Sequence, residues 1–192
     1  MQIITWLVAA MLAFAPARET ERARYADIAR DLVEVAFDPS EEPLFHGDSG
    51  RARTALLLAS IAAHESTFRK DVEAGRVRGD SGRSWCLMQI NVGTGKTVEG
   101  WTGEELVEDR QKCFRAALHL ARWSFERCRG LPVFEKLAAY ASGSCGTSAE
   151  SRQMVTRAIA FFRHHETTDR ASHFFEQSTP WIIEENATAN RD

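Results

Sequence analysis

A single acid, Glu65, stands where a strongly apolar segment gives way to polar sequence. The apolar residues that precede it are Leu56, Leu57, Leu58, Ile61, Ala62 and Ala63. A carboxyl group placed where an apolar helix meets a loop is partly desolvated, which disfavours its charged form and raises its pKa. A raised pKa lets a carboxyl hold a proton near neutral pH, as a general acid must. Taken alone the signal is modest, because most glutamates at helix ends are solvated.

Hydrophobic periodicity and capping residues predict the helix that must position this acid. The pattern indicates a helix over residues 51–66, with Asp48 or Ser49 as its N-cap. An amphipathic helix is expected before it over residues 18–37, because apolar side chains recur there at helical spacing. Glu65 is therefore expected in the last turn of a helix.

The segment that follows the acid is the most loop-like part of the interior. Residues 72–84 carry three glycines and predict a long loop, of the kind that is often functional. Strands are expected to be short and to lie near Val77 and over residues 87–90. The fold class is therefore predicted to be mainly α with at most a small β element.

Two capping-box spacings predict the later helices. Thr102 and Glu105 indicate a helix that begins near Gly103 and runs in one or two pieces as far as Cys128. Residues 147–150 repeat the spacing and predict a last helix beyond them.

Length and charge place the chain among single globular domains. A chain of 192 residues can bury a core of its own. Its net charge of -3, without a lysine or arginine cluster, predicts no nucleic-acid partner. Residues 93–97 resemble part of a P-loop, but Ile90 stands where that motif needs a glycine, so no nucleotide site is expected.

The N-terminal residues have the form of a secretory leader. Residues 3–14 are apolar and of signal-peptide length, and Ala15 and Ala17 offer the small residues of a cleavage site. Residues 1–17 are therefore predicted to be a signal peptide and the chain to be exported, periplasmic or extracellular. An uncleaved anchor and a buried N-terminal helix are the alternatives.

An even number of cysteines agrees with export, because disulfides persist in oxidising compartments. Each cysteine falls near the end of a predicted element, which favours the pairs Cys86–Cys113 and Cys128–Cys145. The competing hypothesis is a structural zinc site, which lacks the usual C-x-x-C or H-x-x-x-H spacing. No metal and no cofactor are expected.

Three motifs in order resemble those of the lysozyme-like lytic transglycosylases, and most closely the goose-type lysozyme branch. They are HESTF at residues 64–68, GDSGRSWCLMQIN at residues 79–91 and AAYASGSCG at residues 138–146. The resemblance covers roughly residues 55–165 and implies an α+β lysozyme-like catalytic domain, set at residues 18–166.

The resemblance implies a substrate and a set of site residues. The substrate class is the glycan strand of peptidoglycan, cut at the β-1,4 bond between N-acetylmuramic acid and N-acetylglucosamine. Glu65 matches the general acid, and Asp80 resembles the second carboxylate of the goose-type branch. The matches expected to contact substrate or the acid are Ser66, Leu87, Met88, Gln89 and Tyr140.

Three departures from the family pattern bear on the mechanism. Cys86 replaces a glycine, Ala141 replaces an asparagine, and Asn91 stands where the goose-type branch has another acid. Lytic transglycosylation needs a single acid, whereas hydrolysis usually needs two carboxylates. Asn91 therefore favours transglycosylation, with hydrolysis assisted by Asp80 as the alternative. The alternative to an enzyme is a peptidoglycan-binding protein of weak activity.

Two further features stay open at this level. Trp85 and Trp101 can either stack on sugar rings or pack as partial core. The tail over residues 167–192 is polar apart from Phe174, Phe175 and residues 181–183, which can dock onto the domain or onto a protein partner.

Overall fold

Helices dominate the computed structural model, which describes residues 2–16, 19–93 and 95–168. The helices are α1 (Gln2–Phe14), α2 (Arg22–Phe37), α3 (Gly50–Ser66), α4 (Lys70–Glu73), α5 (Gly103–Glu108), α6 (Arg110–Arg127), α7 (Ala138–Ser142) and α8 (Ala149–Thr168). Two short strands, β1 (Ser84–Trp85) and β2 (Ile90–Asn91), form an antiparallel pair. The prediction of a mainly α fold with a small β element is confirmed.

Helix α3 is the centre of the hydrophobic core. Its fully buried side chains include Leu56, Leu57, Leu58, Ile61 and Ala62, which between them point in every direction around the helix. A helix that is apolar on all sides has to be covered on all sides. Helices α1, α2, α6 and α8 provide this cover.

The covering helix α2 is amphipathic and turns one apolar stripe towards the core. In α2 the stripe consists of Tyr25, Ile28, Leu32 and Val35, and all four are buried. Their spacing of three and four residues keeps them on one helical face. The helix predicted over residues 18–37 is thus present, although α2 begins only at Arg22.

The starts of the later helices follow local side-chain chemistry, whereas Ser49 is the N-cap residue of α3 and its side chain makes no capping hydrogen bond. Thr102 and Glu105 form the expected capping box at the start of α5. Asp109 separates α5 from α6 and caps α6 through the backbone N–H groups of Gln111 and Lys112. The predicted box at residues 147–150 is displaced, because the side chain that accepts the Ser151 N–H belongs to Ser148.

The strand expected near Val77 is not formed. Gly79 makes only an isolated bridge with Ser84, and β1 begins at that serine. Residues 86–89 form the turn that connects β1 to β2, so only Ile90 of the second predicted strand is extended.

The N-terminal helix is part of the same core. Leu7, Ala10 and Met11 are completely buried, and α1 packs against α2 and α3. The Trp6 ring meets Phe161 of α8 edge to face, with 5.8 Å between the ring centroids. Residues 2–14 are therefore packed as a helix in the chain of residues 1–192, and cleavage after Ala17 stays a prediction. No helix of the described residues has the length and apolar character needed to span a membrane.

The linker between α2 and α3 is held by charged groups of α3 and α6. Arg51 donates to the carbonyl oxygens of Ala36, Asp38 and Glu41. The Glu41 carboxylate, which is only 9% exposed, pairs with Arg115 at 3.0 Å. His119 and Arg122 of α6 also pair with Glu41. The linker that leads into α3 is therefore held by polar contacts, whereas the middle of α3 is held by packing.

The packing of α1 predicts a large loss of stability when its buried face is made polar. In the chain of residues 1–192, we expect Leu7→Asp to lower the free energy of unfolding by at least about 3 kcal/mol, because an unpaired charge would enter the core. Ala9→Asp, on the exposed face of the same helix, is the control and should change it little. Denaturant unfolding measures both variants, and the intact mass of the exported protein shows whether residues 1–17 are still attached. Equal stability of the two variants would contradict a structural role for α1.

Candidate active site

Glu65 occupies the last turn of α3, as predicted, and a tight turn ends the helix just after it. Thr67 and Phe68 both have left-handed backbone angles, with φ of 48° and 52°. Non-glycine residues adopt this region at a local cost, so other contacts must hold them there. Ser66 supplies one such contact, since its hydroxyl donates to the Ala62 carbonyl at 2.7 Å and accepts the Phe68 N–H at 3.2 Å.

The residue after this turn is anchored in the core, which fixes the direction of the chain beyond the acid. Phe68 is 1% exposed, and its ring meets Tyr25 of α2 with 5.1 Å between centroids. The carbonyl oxygen of Phe68 accepts a hydrogen bond from Arg24 at 2.6 Å. Ser66, which the resemblance placed beside substrate, is itself buried and completes the end of the helix. Its contact with a glycan stays a prediction.

The Glu65 carboxyl is in surroundings that oppose its ionisation. Burial is the main cause, and the charges of Asp80 and Glu150 add to it, so that the pKa of Glu65 is raised to about 7. Among the described residues, no hydrogen bond or ion pair of this carboxyl compensates for the lost solvation. A proton therefore stays on Glu65 near neutral pH, and the group can give it to a bound molecule.

Asp80 lies on the turn that faces this acid and has the opposite electrostatic behaviour. Its Oδ2 accepts hydrogen bonds from the Ser84 hydroxyl at 2.6 Å and from the Asn91 side-chain amide at 3.2 Å. These two bonds, helped by the positive charge of Arg83, lower the pKa of Asp80. The site thus combines one carboxyl that holds its proton with one that is ionised, the pattern expected of an acid and its partner.

The turn that carries Asp80 has an unusual backbone. Asp80, Ser81 and Gly82 have φ values of 49°, 57° and 90° in succession. Gln89 supports this turn from below, because its Oε1 accepts the Gly79 N–H at 2.8 Å and its Nε2 donates to the Cys86 carbonyl at 3.0 Å. A Cβ at Gly79 would lie 2.6 Å from the Gln89 Oε1, so a larger residue there would displace the end of the Gln89 side chain.

The segment expected to line a sugar groove is largely turned into the core. Leu87 and Met88 are 1% and 0% exposed. Both polar ends of the Gln89 amide are bonded to backbone groups. These three residues therefore support the loop of Asp80 in the structure, and their contact with a glycan stays a prediction.

Tyr140 joins the third motif to this loop. Its hydroxyl donates to the Met88 carbonyl oxygen at 3.0 Å, and its N–H donates to the Ser124 hydroxyl of α6 at 3.0 Å. Burial, with the nearby charge of Glu65, raises the pKa of Tyr140 well above its usual range. Tyr140 is therefore a neutral hydrogen-bonding group close to the acid.

Both predicted disulfides are present. Cys86–Cys113 ties the turn between β1 and β2 to α6, and Cys128–Cys145 ties the end of α6 to the loop after α7. No cysteine is left free, so the hypothetical zinc site has no thiolate ligand. Cys86, one of the departures from the family pattern, thus fixes the loop beside Asp80.

Trp85 and Trp101 contact protein groups on their rings. The Arg78 guanidinium lies over the Trp85 ring, 3.9 Å from its centroid, and Gly103 packs so closely that a Cβ there would come within 2.2 Å of the ring. Lys112 lies 6.0 Å from the centroid of the Trp101 ring. Trp85 is thus a packing residue in this structure rather than an open platform for a sugar.

Sequence reasoning missed one acid of the site. Glu150 at the start of α8 adds to the raised pKa of Glu65 and also interacts with His64. Its only sequence signal was a capping-box spacing, which predicts a helix start and says nothing about a residue 85 positions earlier in the chain. The packing of α8 on α3 brings the two together.

The raised pKa of Glu65 predicts a stability that depends on pH. When the pKa of a carboxyl is higher in the folded than in the unfolded protein, the protonated group stabilises the fold. This contribution is fully present below the pKa of the unfolded protein, and it is lost as pH rises through the pKa of the folded protein. Glu65→Gln removes the ionised form, so we expect it to stabilise the protein at about pH 8 by up to roughly 3 kcal/mol, and by much less at about pH 4.5. Denaturant unfolding at both pH values tests this. Glu126→Gln, an exposed glutamate of α6, is the control, and an equal effect of the two variants at both pH values would contradict the prediction.

Comparison with protein-family models, with curated proteins and with solved structures gave no match for this chain.

Proposed function

We propose that the chain cleaves the glycan strands of peptidoglycan, at the β-1,4 bond between N-acetylmuramic acid and N-acetylglucosamine, with Glu65 as the general acid. The observation that carries the proposal is the half-buried Glu65 carboxyl with a pKa of about 7, next to the ionised Asp80. The substrate class comes from the resemblance of the three motifs, and the pair of carboxyls supplies the chemistry that such a substrate needs.

The first step is the same for both candidate reactions. The Glu65 carboxyl gives its proton to the glycosidic oxygen while the bond from that oxygen to C1 of the muramic acid breaks. The leaving sugar departs with a free 4-hydroxyl group. Positive charge develops at C1, and the carboxylate that forms on Glu65 and the ionised Asp80 both favour it electrostatically.

Transglycosylation is the leading candidate for the second step. The 6-hydroxyl of the muramic acid attacks C1 and gives its proton to the Glu65 carboxylate, which restores the acid and leaves a 1,6-anhydro sugar. This route uses Glu65 as acid and then as base, and it requires no second catalytic carboxylate. The amide of Asn91, in a position where the related branch has an acid, agrees with it.

Hydrolysis is the second candidate, and the state of Asp80 favours it. Both hydrogen bonds of this carboxylate use Oδ2, and Oδ1 has no donor among the described residues. An ionised, exposed oxygen of this kind can accept a hydrogen bond from water. The water would then add to C1 and give one proton to the Asp80 carboxylate, which returns it to solvent, while Glu65 regains its proton from solvent; the product would be an ordinary reducing end.

The proposal extends to the compartment of the protein. Two disulfides agree with an oxidising environment, which is where the proposed substrate is found. Export therefore belongs to the same proposal as the substrate.

Product analysis tests the activity and separates the two reactions. Purified protein is incubated with peptidoglycan sacculi, and the soluble products are examined by mass spectrometry. We expect anhydro-muropeptides from transglycosylation, with reducing ends as the sign of hydrolysis. Glu65→Gln should lower the rate by at least about a hundredfold, since it removes general acid catalysis. If the wild type and this variant both bind sacculi and neither releases soluble products, the chain is a peptidoglycan-binding protein and the enzyme proposal is contradicted.

The electrostatic coupling between the two carboxyls predicts the pH profile. Glu65 must be protonated in the first step, so kcat/KM should fall above about pH 7. Asp80→Asn removes a negative charge that raises the Glu65 pKa, and we expect the falling limb to move to lower pH by less than about one unit, because burial remains the larger cause. Rates measured across this range with both proteins check the shift. A limb that stays in place would contradict the electrostatic coupling between Asp80 and the group that titrates.

A further inference from the structure

His119 of α6 lies between two carboxylates that come from different parts of the chain. Its Nδ1 is 2.7 Å from Oε1 of Glu99, in the loop after β2. Its Nε2 is 3.1 Å and 3.0 Å from the two carboxylate oxygens of Glu41, in the linker between α2 and α3. An ionised carboxylate accepts hydrogen bonds and donates none. Both contacts are therefore hydrogen bonds only when both ring nitrogens carry a proton, which is the charged form of the ring.

The other charged groups around His119 are bound to the linker. Arg115 and Arg122 lie on the same face of α6 as His119, and they pair with the Glu41 carboxylate at 3.0 Å and 3.2 Å. Arg115 also pairs with Asp38, at the other end of the linker, at 2.7 Å. Glu41 thus keeps two cations as partners when His119 is neutral.

Glu99 has no such second cation among the described residues. Its carboxylate receives hydrogen bonds from His119 and from groups of its own turn, the Thr97 side chain and its own backbone. Burial opposes the ionisation of Glu99, but these hydrogen bonds outweigh it and lower the pKa of the carboxyl. Glu99 is therefore ionised, and its bond to His119 connects its turn with α6.

The turn of residues 97–101, which carries Glu99, has few other attachments to the domain. Val98 at its tip is fully exposed, so apolar packing does not hold that end. The Trp101 side chain packs against the core at the other end of the turn. The contact between Glu99 and His119 is therefore the polar attachment that keeps the turn on the surface of α6.

We propose that His119 is a pH-sensitive switch, which holds the turn of residues 97–101 on α6 while its ring is charged and releases the turn when the ring is neutral. A neutral ring has a single N–H, so one of its nitrogens presents a lone pair to a carboxylate oxygen. Glu41 is only 9% exposed and keeps its two arginines, so the contact with Glu99 is the one that opens. This switch does not depend on the proposed function.

Hydrogen exchange of the turn tests the switch. Two backbone bonds close the turn, from the Thr97 N–H to the Trp101 carbonyl at 2.7 Å and from the Gly100 N–H to the Thr97 carbonyl at 3.0 Å. Histidine side chains change charge between about pH 5 and pH 8, so exchange is measured by mass spectrometry at about pH 5.5 and about pH 8. Each rate is divided by the intrinsic rate at that pH. We expect about tenfold more protection at the lower pH, the effect of one hydrogen bond to a charged group.

Two substitutions should remove the pH dependence in opposite directions. His119→Ala removes the contact, so the turn should be weakly protected at both pH values. Glu99→Gln supplies an amide that can accept from a charged ring and donate to a neutral one, so the turn should stay protected at both. His46→Ala and Glu104→Gln, at exposed positions, are the matched controls and should behave like wild type.

A third variant separates the switch from the titration of Glu65, which also changes the stability of the domain between these pH values. The turn of Glu65→Gln should keep the pH dependence of wild type. Equal protection of the wild-type turn at the two pH values would overturn the inference. A pH dependence that survives in Glu99→Gln, or that disappears in Glu65→Gln, would overturn it as well.

Discussion

The apolar surroundings at the end of α3 disfavour the ionised form of Glu65, and the packing of the rest of the domain holds the carboxyl in these surroundings. A helix that is buried on every side along most of its length cannot shift without exposing leucines to water, so its last turn is held by the packing of the turns before it. Four other helices and the charged linker before α3 all contribute to this position. The acid is thereby placed on a rigid element, as the proposed transfer of its proton to one atom requires.

The second carboxyl shows how hydrogen bonds can reverse the effect of proximity. The negative charges of Asp80 and Glu65 repel each other, but the pKa of only one of the two carboxyls, that of Glu65, is raised. Ser84 and Asn91 donate to Asp80 and keep it charged, whereas burial above all, with the charge of Asp80 added to it, raises the pKa of Glu65. An acid at residue 91 would compete with Asp80 for the same surroundings, whereas the amide supports it. The asparagine is thus consistent with a site that divides its two carboxyls into one neutral and one charged group.

Features that depend on local sequence could be predicted, and those that depend on distant packing could not. The helix that carries Glu65 follows from a run of apolar residues, and both disulfides follow from the ends of neighbouring elements. The apolar N-terminal segment has the composition of a leader and of a core helix alike, and its edge-to-face contact with α8 is a long-range feature that composition does not predict. The positions of the strands were predicted wrongly, because strands of two residues have no periodicity to detect.

The orientation of the side chains in the loop around Asp80 could not be predicted from the sequence for a different reason. Cys86 and Gln89 have φ values of 58° and 48°, which no propensity assigns to these residue types. Those angles decide that Leu87 and Met88 point inwards and that Gln89 spans two backbone groups. A motif can indicate that such a segment borders a site, but the side of the chain that faces the site is set by the backbone.

The left-handed residues around the acid have a consequence for how the domain responds to heat. Six non-glycine residues with positive φ lie between Thr67 and Gln89. Each holds its conformation at the expense of local stability, so this edge has a lower free energy of opening than the helical core. The disulfide from Cys86 to Cys113 keeps the opened segment attached to α6. On mild warming, the edge beside Glu65 should therefore loosen before the core melts and close again on cooling, with the tether limiting how far the chain has to search.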